Sequence, residues 1–465
     1  MIATTRHPSF RSPRPPAALP AGPQAVLCAL LAALLLALGA CAPTEGVSTA
    51  FVPVATTNFD FTITSILVGD NPRDIAVADY NNDGKPDIAV ANHFSSSVTV
   101  LTNNGGGDFT TLAPKEIAVA GYPSRILWFN LDGNPAHLSL AVIIDVGTTH
   151  QLVIVKNDGT GGFAVNKSYD FGTVVNQMVP FCKATTACST ALAQDLIASV
   201  SATKVMAVFT NADLANTAAT TLTPTTTATA DGSTSYAPTR FVVGAIDGGM
   251  VPDVAVLLPS VSKLLPLIGD GNGSFAAGTL VGVPATPHAI AGGNLVRASG
   301  ALDFAVTSPA ANVVTIVSND GTGALTAQPG IAITAAAEAF VAPLGGAYGD
   351  VLVSGSDQEA VTYIKSAADG TFTATGHYTT RNTIAFATGD YSGTTAKDFV
   401  TAEFSKRAVG VFQGDGAGGF TRTQIGFESL VNHPTTVPNL CGGGKDDLIA
   451  LQPNVDQVLV LCSAN

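Results

Sequence analysis

The sequence predicts an all-β chain built from one strand unit repeated along its length, and three observations predict it. An aspartate followed by apolar residues recurs at Asp87-Ile-Ala-Val, Asp195-Leu-Ile-Ala, Asp253-Val-Ala-Val, Asp303-Phe-Ala-Val, Asp350-Val-Leu-Val, Asp398-Phe-Val-Thr and Asp447-Leu-Ile-Ala. From Asp195 onward successive copies stand roughly 47 to 58 residues apart, the range of propeller blades. Glycine-rich turns recur in step, as Asn103-Asn-Gly-Gly-Gly-Asp-Phe109, Asn157-Asp-Gly-Thr-Gly-Gly-Phe163, Gly269-Asp-Gly-Asn-Gly-Ser-Phe275 and Gly414-Asp-Gly-Ala-Gly-Gly-Phe420. Such turns need positive φ, which Gly and Asn tolerate, so each marks a hairpin between strands. The third observation is compositional: 46% of the 465 residues are hydrophobic, 12% are charged, 47 are glycine, and no long helical periodicity runs through them. That balance suits many short strands joined by tight turns.

The chain opens differently. Arg6, Arg11 and Arg14 precede an apolar stretch from Ala25 to Leu38. About 14 residues are too few to span a bilayer and right for the apolar core of a secretion signal. The stretch runs into Leu38-Gly39-Ala40-Cys41, which resembles a bacterial lipobox. The resemblance implies cleavage before Cys41 and lipid on its thiol and amine; an ordinary signal peptide with an incidental cysteine is the other reading. Ala42 after the cysteine is similar to outer-membrane-destined lipoproteins of two-membrane bacteria. The expected location is therefore the cell envelope, lipid-anchored at the outer membrane, with either the periplasm or the cell surface in front. The expected organisation is a signal peptide over 1–40, a lipidated tether over 41–56 and a repeat domain over 57–465.

Formal net charge is −13, and removing the three arginines before Cys41 makes it three more negative, −16. An acidic surface argues against nucleic acid and against anionic headgroups as bulk partners. Of six cysteines, Cys28 leaves with the signal and Cys41 takes the lipid. Cys182, Cys188, Cys441 and Cys462 remain, an even set suited to an oxidising compartment. Local pairing is expected, Cys182 with Cys188 and Cys441 with Cys462, with four buried thiols as the alternative.

The first repeat holds the most specific loop, Asp79-Tyr-Asn-Asn-Asp-Gly-Lys-Pro-Asp87. Asp79, Asn81, Asp83 and Asp87 present oxygens, and Gly84 lets the backbone turn sharply, as a hard cation needs. An EF-hand would reach a glutamate at position 90 and sit between helices; here position 90 is Val90 and the flanks have strand character. A weaker copy, Asp390-Tyr-Ser-Gly-Thr-Thr-Ala-Lys-Asp398, has Ser392 and Thr394 where acids would stand.

The signature, the turns and this loop together resemble the FG-GAP/VCBS repeat family, known from the integrin α-chain propeller and from bacterial secreted proteins. The likeness covers nearly all of residues 57–465. It implies a β-propeller of four-stranded blades, with strands A to D running from the axis outward. In the first loop it implies side-chain ligation by Asp79, Asn81, Asp83 and Asp87 and a carbonyl from Lys85. Mixed ligation of that kind suits calcium better than magnesium, in a structural role; a solvated acidic turn is the bland alternative.

Eight units are counted. The eighth stops at Leu459-Val-Leu-Cys462 after its third strand, and Asn58-Phe-Asp-Phe-Thr-Ile-Thr-Ser-Ile-Leu67 resembles the outer-strand segment Gly107-Asp-Phe-Thr-Thr-Leu. The N-terminal strand is thus expected to close the ring and remove a free sheet edge. Seven blades is the other count, should the third unit, with its Thr-rich stretch 217–229, not be a blade.

Catalytic motifs are missing from the sequence: it has neither His-Glu-x-x-His nor Gly-x-Ser-x-Gly. Gly414-x-Gly416-x-x-Gly419 fits a dinucleotide fingerprint by letters but lies in a hairpin turn. From Cys41 onward there are seven arginines, and Arg73, Arg125, Arg240 and Arg381 all fall just before a strand A, with His288 and His433 in similar places. His93 in a B–C loop shares their face, which lies opposite the metal loops. Two readings stand. Either these groups gather at one channel mouth and attract an anionic or polar ligand, or each ties down connecting backbone and neighbouring acids. The expected protein is a monomeric binding module for a protein or glycan, touching membrane only through its lipid. The alternative is a polysaccharide hydrolase or lyase using the channel mouth.

Overall fold

Apolar runs such as Asp87–Asn92 and Asp253–Leu258 are buried at every position, which a half-solvated strand would not be. The reason is that each sheet is covered on both faces by its neighbours. A computed structural model describes residues 61–463, apart from 217–221, 232–233, 297–300, 334–337, 345, 347, 355–359, 379–382, 395 and 404–405. The expected signal peptide, the lipid site Cys41 and Arg381 lie outside the described residues.

Eight four-stranded antiparallel sheets stand around a common axis as a β-propeller. Blade 1 is typical, with strands A Pro72–Ala78, B Asp87–Asn92, C Ser97–Leu101 and D Lys115–Ala118. Eight apolar clusters fill the eight gaps between neighbouring blades. Between blades 1 and 2, Tyr80 stacks on Trp128 at 5.4 Å; between blades 6 and 7, Tyr363 meets Phe420 edge-on at 5.2 Å.

The third unit is a true blade, so the count is eight. Its outer strand, Thr225–Ala228, comes from the Thr-rich stretch and pairs with Val205–Phe209. A short helix, Asn211–Ala215, and a two-stranded ribbon take up the extra length.

Ring closure follows the expectation. Phe61–Leu67 is strand D of blade 8, antiparallel to Gln457–Ser463 from Phe61↔Ser463 to Leu67↔Gln457. Both expected disulfides are present, Cys182–Cys188 in the A–B loop of blade 3 and Cys441–Cys462 in blade 8. The second is pressed against the C–D turn of blade 1: a Cβ on Gly107, at φ +74°, would stand 2.7 Å from Cys441 Sγ. Only glycine fits there.

The recurring aspartate has one job in seven blades. Standing first or second in strand B, it accepts the amide sixteen residues on, at the end of strand C, and also amides of the A–B loop. Asp303 is representative: Oδ1 accepts from Asn319 N (2.8 Å) while Oδ2 accepts from Leu295 N (3.0 Å) and Val296 N (2.8 Å). In blade 2 the smaller Ser139 takes this place, accepting from Asn157 N at 3.3 Å.

One strand differs from its expected position. Residues Gly107–Leu112 are not the outer strand of blade 1, which begins at Lys115. The Asp108 carboxylate accepts from the Thr110 and Thr111 amides and the Thr110 hydroxyl, closing a turn, and Phe109 is buried between blades. A side chain that satisfies local amides so well competes with a sheet ladder.

Candidate functional site

Strand A runs from the D–A side to the A–B side, so its two ends carry the two groups of residues singled out in the sequence. On the A–B side, Gly84 at φ +82° turns the first loop back on itself. Asp79 accepts from Asp83 N (2.9 Å) and Gly84 N (2.8 Å), Asn81 Oδ1 from Asp83 N (3.1 Å), and Asp83 Oδ1 from Lys85 N (3.0 Å). Lys85 Nζ lies 3.6 Å from Asp83 and donates to Asn104 O at 3.3 Å. Asp87 is the blade's recurring aspartate and accepts from Tyr80 N and Asn103 N. Burial pushes its carboxyl up to about 7 against those two bonds, with repulsion from Asp83 and Asp79 added.

The donor chemistry fits a hard cation: three carboxylates and an amide oxygen in one turn, with Lys85 Nζ 3.6 Å from Asp83 as an ammonium that an ion would displace. A carboxylate has lone pairs for an ion beyond those given to amides. Among the described residues, however, no three His, Cys, Asp or Glu side chains already converge on a metal position. The loop brings Asp79, Asn81, Asp83 and Asp87 into one turn without wrapping them around a single point. The weaker copy is further from a site. Asp390 Oδ1 accepts from Gly393 N (2.6 Å) and Thr394 N (3.1 Å), Ser392 and Thr394 bond each other at 2.8 Å, and Asp398 serves three amides.

On the opposite side the cations do meet, and they meet acids that the sequence did not single out. Counting back four residues from the strand-A partner of the recurring aspartate gives Asp74, Arg125, Arg240 and Glu338 in blades 1, 2, 4 and 6. Arg240 pairs with Glu338 at 3.0 Å across two blades, and His288 approaches the same oxygen at 3.4 Å. Asp74 accepts from Ile75 N and from Ile126 N of the next blade, at 2.9 and 2.8 Å. Burial raises its pKa while His433 and Arg125 lower it; burial likewise lowers that of His433.

Arg125 is exposed to solvent yet enclosed by the inner strands. That enclosure lowers its pKa, Asp74 raises it, and the charge of Arg240 lowers it again. Among the described residues neither the Arg73 nor the Arg125 side chain has a hydrogen bond or ion pair. His93 is buried, its Nδ1 3.2 Å from Pro123 O, and ties blade 1 to blade 2. The missed acids had a signal: Asp74 adjoins Arg73, and Glu338 sits at the register of Arg240.

A model of the FG-GAP-like repeat matches residues 79–134, from the first loop into blade 2. No curated protein matches the sequence. Among solved structures, the exotype rhamnogalacturonan lyase YesX is 13% identical, with TM-score 0.54 over 89% of this chain and 75% of that one. A putative 6-phosphogluconolactonase from Bacteroides uniformis is 14% identical, TM-score 0.48, over 76% and 95%. BBS1N, solved in complex with ARL6DN, is 12% identical, TM-score 0.46, over 89% and 94%. At such identities the likeness is one of fold alone.

Proposed function

We propose that this chain, an FG-GAP repeat propeller of eight blades, is a lipid-anchored binding module of the bacterial cell envelope that holds a protein or glycan on its D–A and B–C face. One observation carries the reading. In a chain of net charge −13, Arg73 and Arg125 stand exposed on one face with no side-chain hydrogen bond or ion pair among the described residues, while Asp74 is engaged by backbone amides and Asp145 by Ser124 and His150. Guanidinium groups whose N–H donors are not bonded within the fold suit carboxylates or other anions of a ligand. A structural calcium ion in the first loop, held by Asp79, Asn81, Asp83, Asp87 and the Lys85 carbonyl, belongs to the same proposal. Its effect would be to neutralise Asp87 and stiffen blade 1.

The binding reading is tested by pulling down envelope extracts and polysaccharides with the purified chain, with and without calcium. Retention of a defined ligand by the wild type and its loss in Arg73→Ala/Arg125→Ala supports it. Retention unchanged in that variant returns the arginines to a structural role, and cleavage of a retained polysaccharide replaces a binder with an enzyme. Lipidation is tested separately: radiolabelled palmitate should enter the wild type and not Cys41→Ser.

A further inference from the structure

Six of the exposed large apolar side chains among the described residues lie on the D–A and B–C side of blades 8, 1 and 2. Leu67 is 69% exposed, Phe94 58% and Tyr122 49%; Val146, Val174 and Val455 accompany them. Printed in sequence they look scattered, but backbone bonds join them into one strip. Val68 and Asn71 both donate to Asp456, beside Val455. His93 N and Phe94 N donate in turn to Asn71 O and Asp70 O. The His93 ring lies 5.4 Å from Tyr122 and 5.1 Å from Phe94. Beyond Tyr122, a Cβ on Gly121 would stand 3.3 Å from Val146, and His150 N donates to Thr173 O next to Val174.

At the Val455 end the strip opens into a cleft of about 330 Å³, floored by Ile63, Phe427 and Leu459 and flanked by the amides of Gln452 and Gln457. Arg73 and Arg125 stand near the start of the inner strands of blades 1 and 2, within three residues of Asn71 and Tyr122 along the chain. The acids nearby are mostly occupied: Asp456 by Asn71 N, and Asp145 by Ser124 and His150. Asp70 and Glu428, the latter on the wall of the cleft, are exposed exceptions.

Sugars stack on aromatic faces and otherwise seek polar partners. A strip of Leu, Val and Phe with a cleft for an apolar group matches protein side chains better, and Tyr, Phe and Arg are the types that dominate protein interfaces. Apolar surface gathered on one face marks an interaction site more often than chance exposure does. We propose that this strip docks an extended segment of a partner protein, with apolar side chains along blades 8, 1 and 2 and carboxylates toward Arg73 and Arg125. This rests on the reading of the face as a binding surface and names its ligand class.

The test uses the full chain in detergent, a displayed library of random dodecapeptides, and oligogalacturonate as an acidic glycan. Enriched peptides should carry Asp or Glu beside apolar residues. They should lose at least about tenfold in affinity to Phe94→Ser/Tyr122→Ser and to Arg73→Ala/Arg125→Ala, both checked for an unchanged melting temperature. Met250→Ser, on the other face, should bind as the wild type does. No enrichment over bare support, or binders indifferent to both double variants, overturns the proposal. Oligogalacturonate binding that needs the arginines but not the aromatics, without peptide enrichment, overturns the protein segment and leaves the face a binding surface. If neither probe binds, both readings fall. Self-association of the wild type that Phe94→Ser/Tyr122→Ser abolishes would make a second copy the occupant and overturn it too.

Discussion

On the A–B side of the ring, acids meet amides: Asp79, Asp83 and Asp87 in blade 1, Asp390 and Asp398 in blade 7, and Asp303 in blade 5 all accept backbone N–H groups. On the D–A side, cations meet only a few acids, and among the described residues Arg73 and Arg125 make no ion pair, although Asp74 and Asp145 lie close enough to act on Arg125. The difference teaches where the repeat constrains its own sequence. The strand-B aspartate fixes the end of strand C and the A–B loop together, so it recurs; nothing in the closed sheet requires a particular residue where strand A begins. The D–A side is therefore where residues can differ from blade to blade for reasons outside the fold.

The two sides should differ most at Asp303. Alanine there would leave two buried amides and one half-buried amide without acceptors, each buried one worth roughly 1–3 kcal/mol, so Asp303→Ala should cost about 3 kcal/mol or more in urea unfolding. A cost no larger than that of an arginine variant on the other face would show that the two sides are not different in kind. Next comes calcium. At a free concentration about a hundred times its Kd, binding to the folded state alone adds about 2.7 kcal/mol; the rise in melting temperature over chelator should vanish in Asp83→Ala.

A smaller effect should appear with pH. Burial raises the carboxyls of Asp253 and Asp447 despite the amides they accept. The folded state therefore keeps protons that the unfolded chain has lost, and this stabilisation is full below the unfolded value of about 3.9 and disappears as pH rises through the raised values. The loss of unfolding free energy as pH climbs from about 4, measured in chelator, should be smaller in Asp253→Asn than in the wild type; identical pH dependence in the two would refute the assignment. The smallest change is expected for Arg125→Ala, within about 0.5 kcal/mol of the wild type. A loss of several kcal/mol would mean the guanidinium holds the inner strands together.

Much of the fold was legible because the repeat states it more than once. The turns with Gly at positive φ, the Asp-apolar signature and the missing fourth strand of the last unit each pointed to the same ring, and the pairing of Phe61–Leu67 with Gln457–Ser463 followed from counting strands. Two things were not legible. The segment after Gly107 has the letters of an outer strand, but whether Asp108 caps its own turn is decided by geometry within a few residues. The partners of the channel-mouth cations were hidden because Arg240 and Glu338 belong to blades that are not adjacent, and ring curvature alone brings them within 3.0 Å. The signature aspartate was visible throughout, while its work at the amide sixteen residues on could be read only with the hairpin built.

The seam in blade 8 sets the order of events during biosynthesis. Phe61–Leu67 leaves the ribosome ahead of blade 1, and its partner Gln457–Ser463 only after seven blades have followed. Until then the earliest strand has no sheet to join, and seven blades present an unpaired border to every other chain in the compartment. A chain released a few residues early, before Cys462 and the ladder around it exist, would hold nearly all of its mass in folded blades and still be an open, adhesive arc. Closure of the ring thus waits on the seven residues Gln457–Ser463.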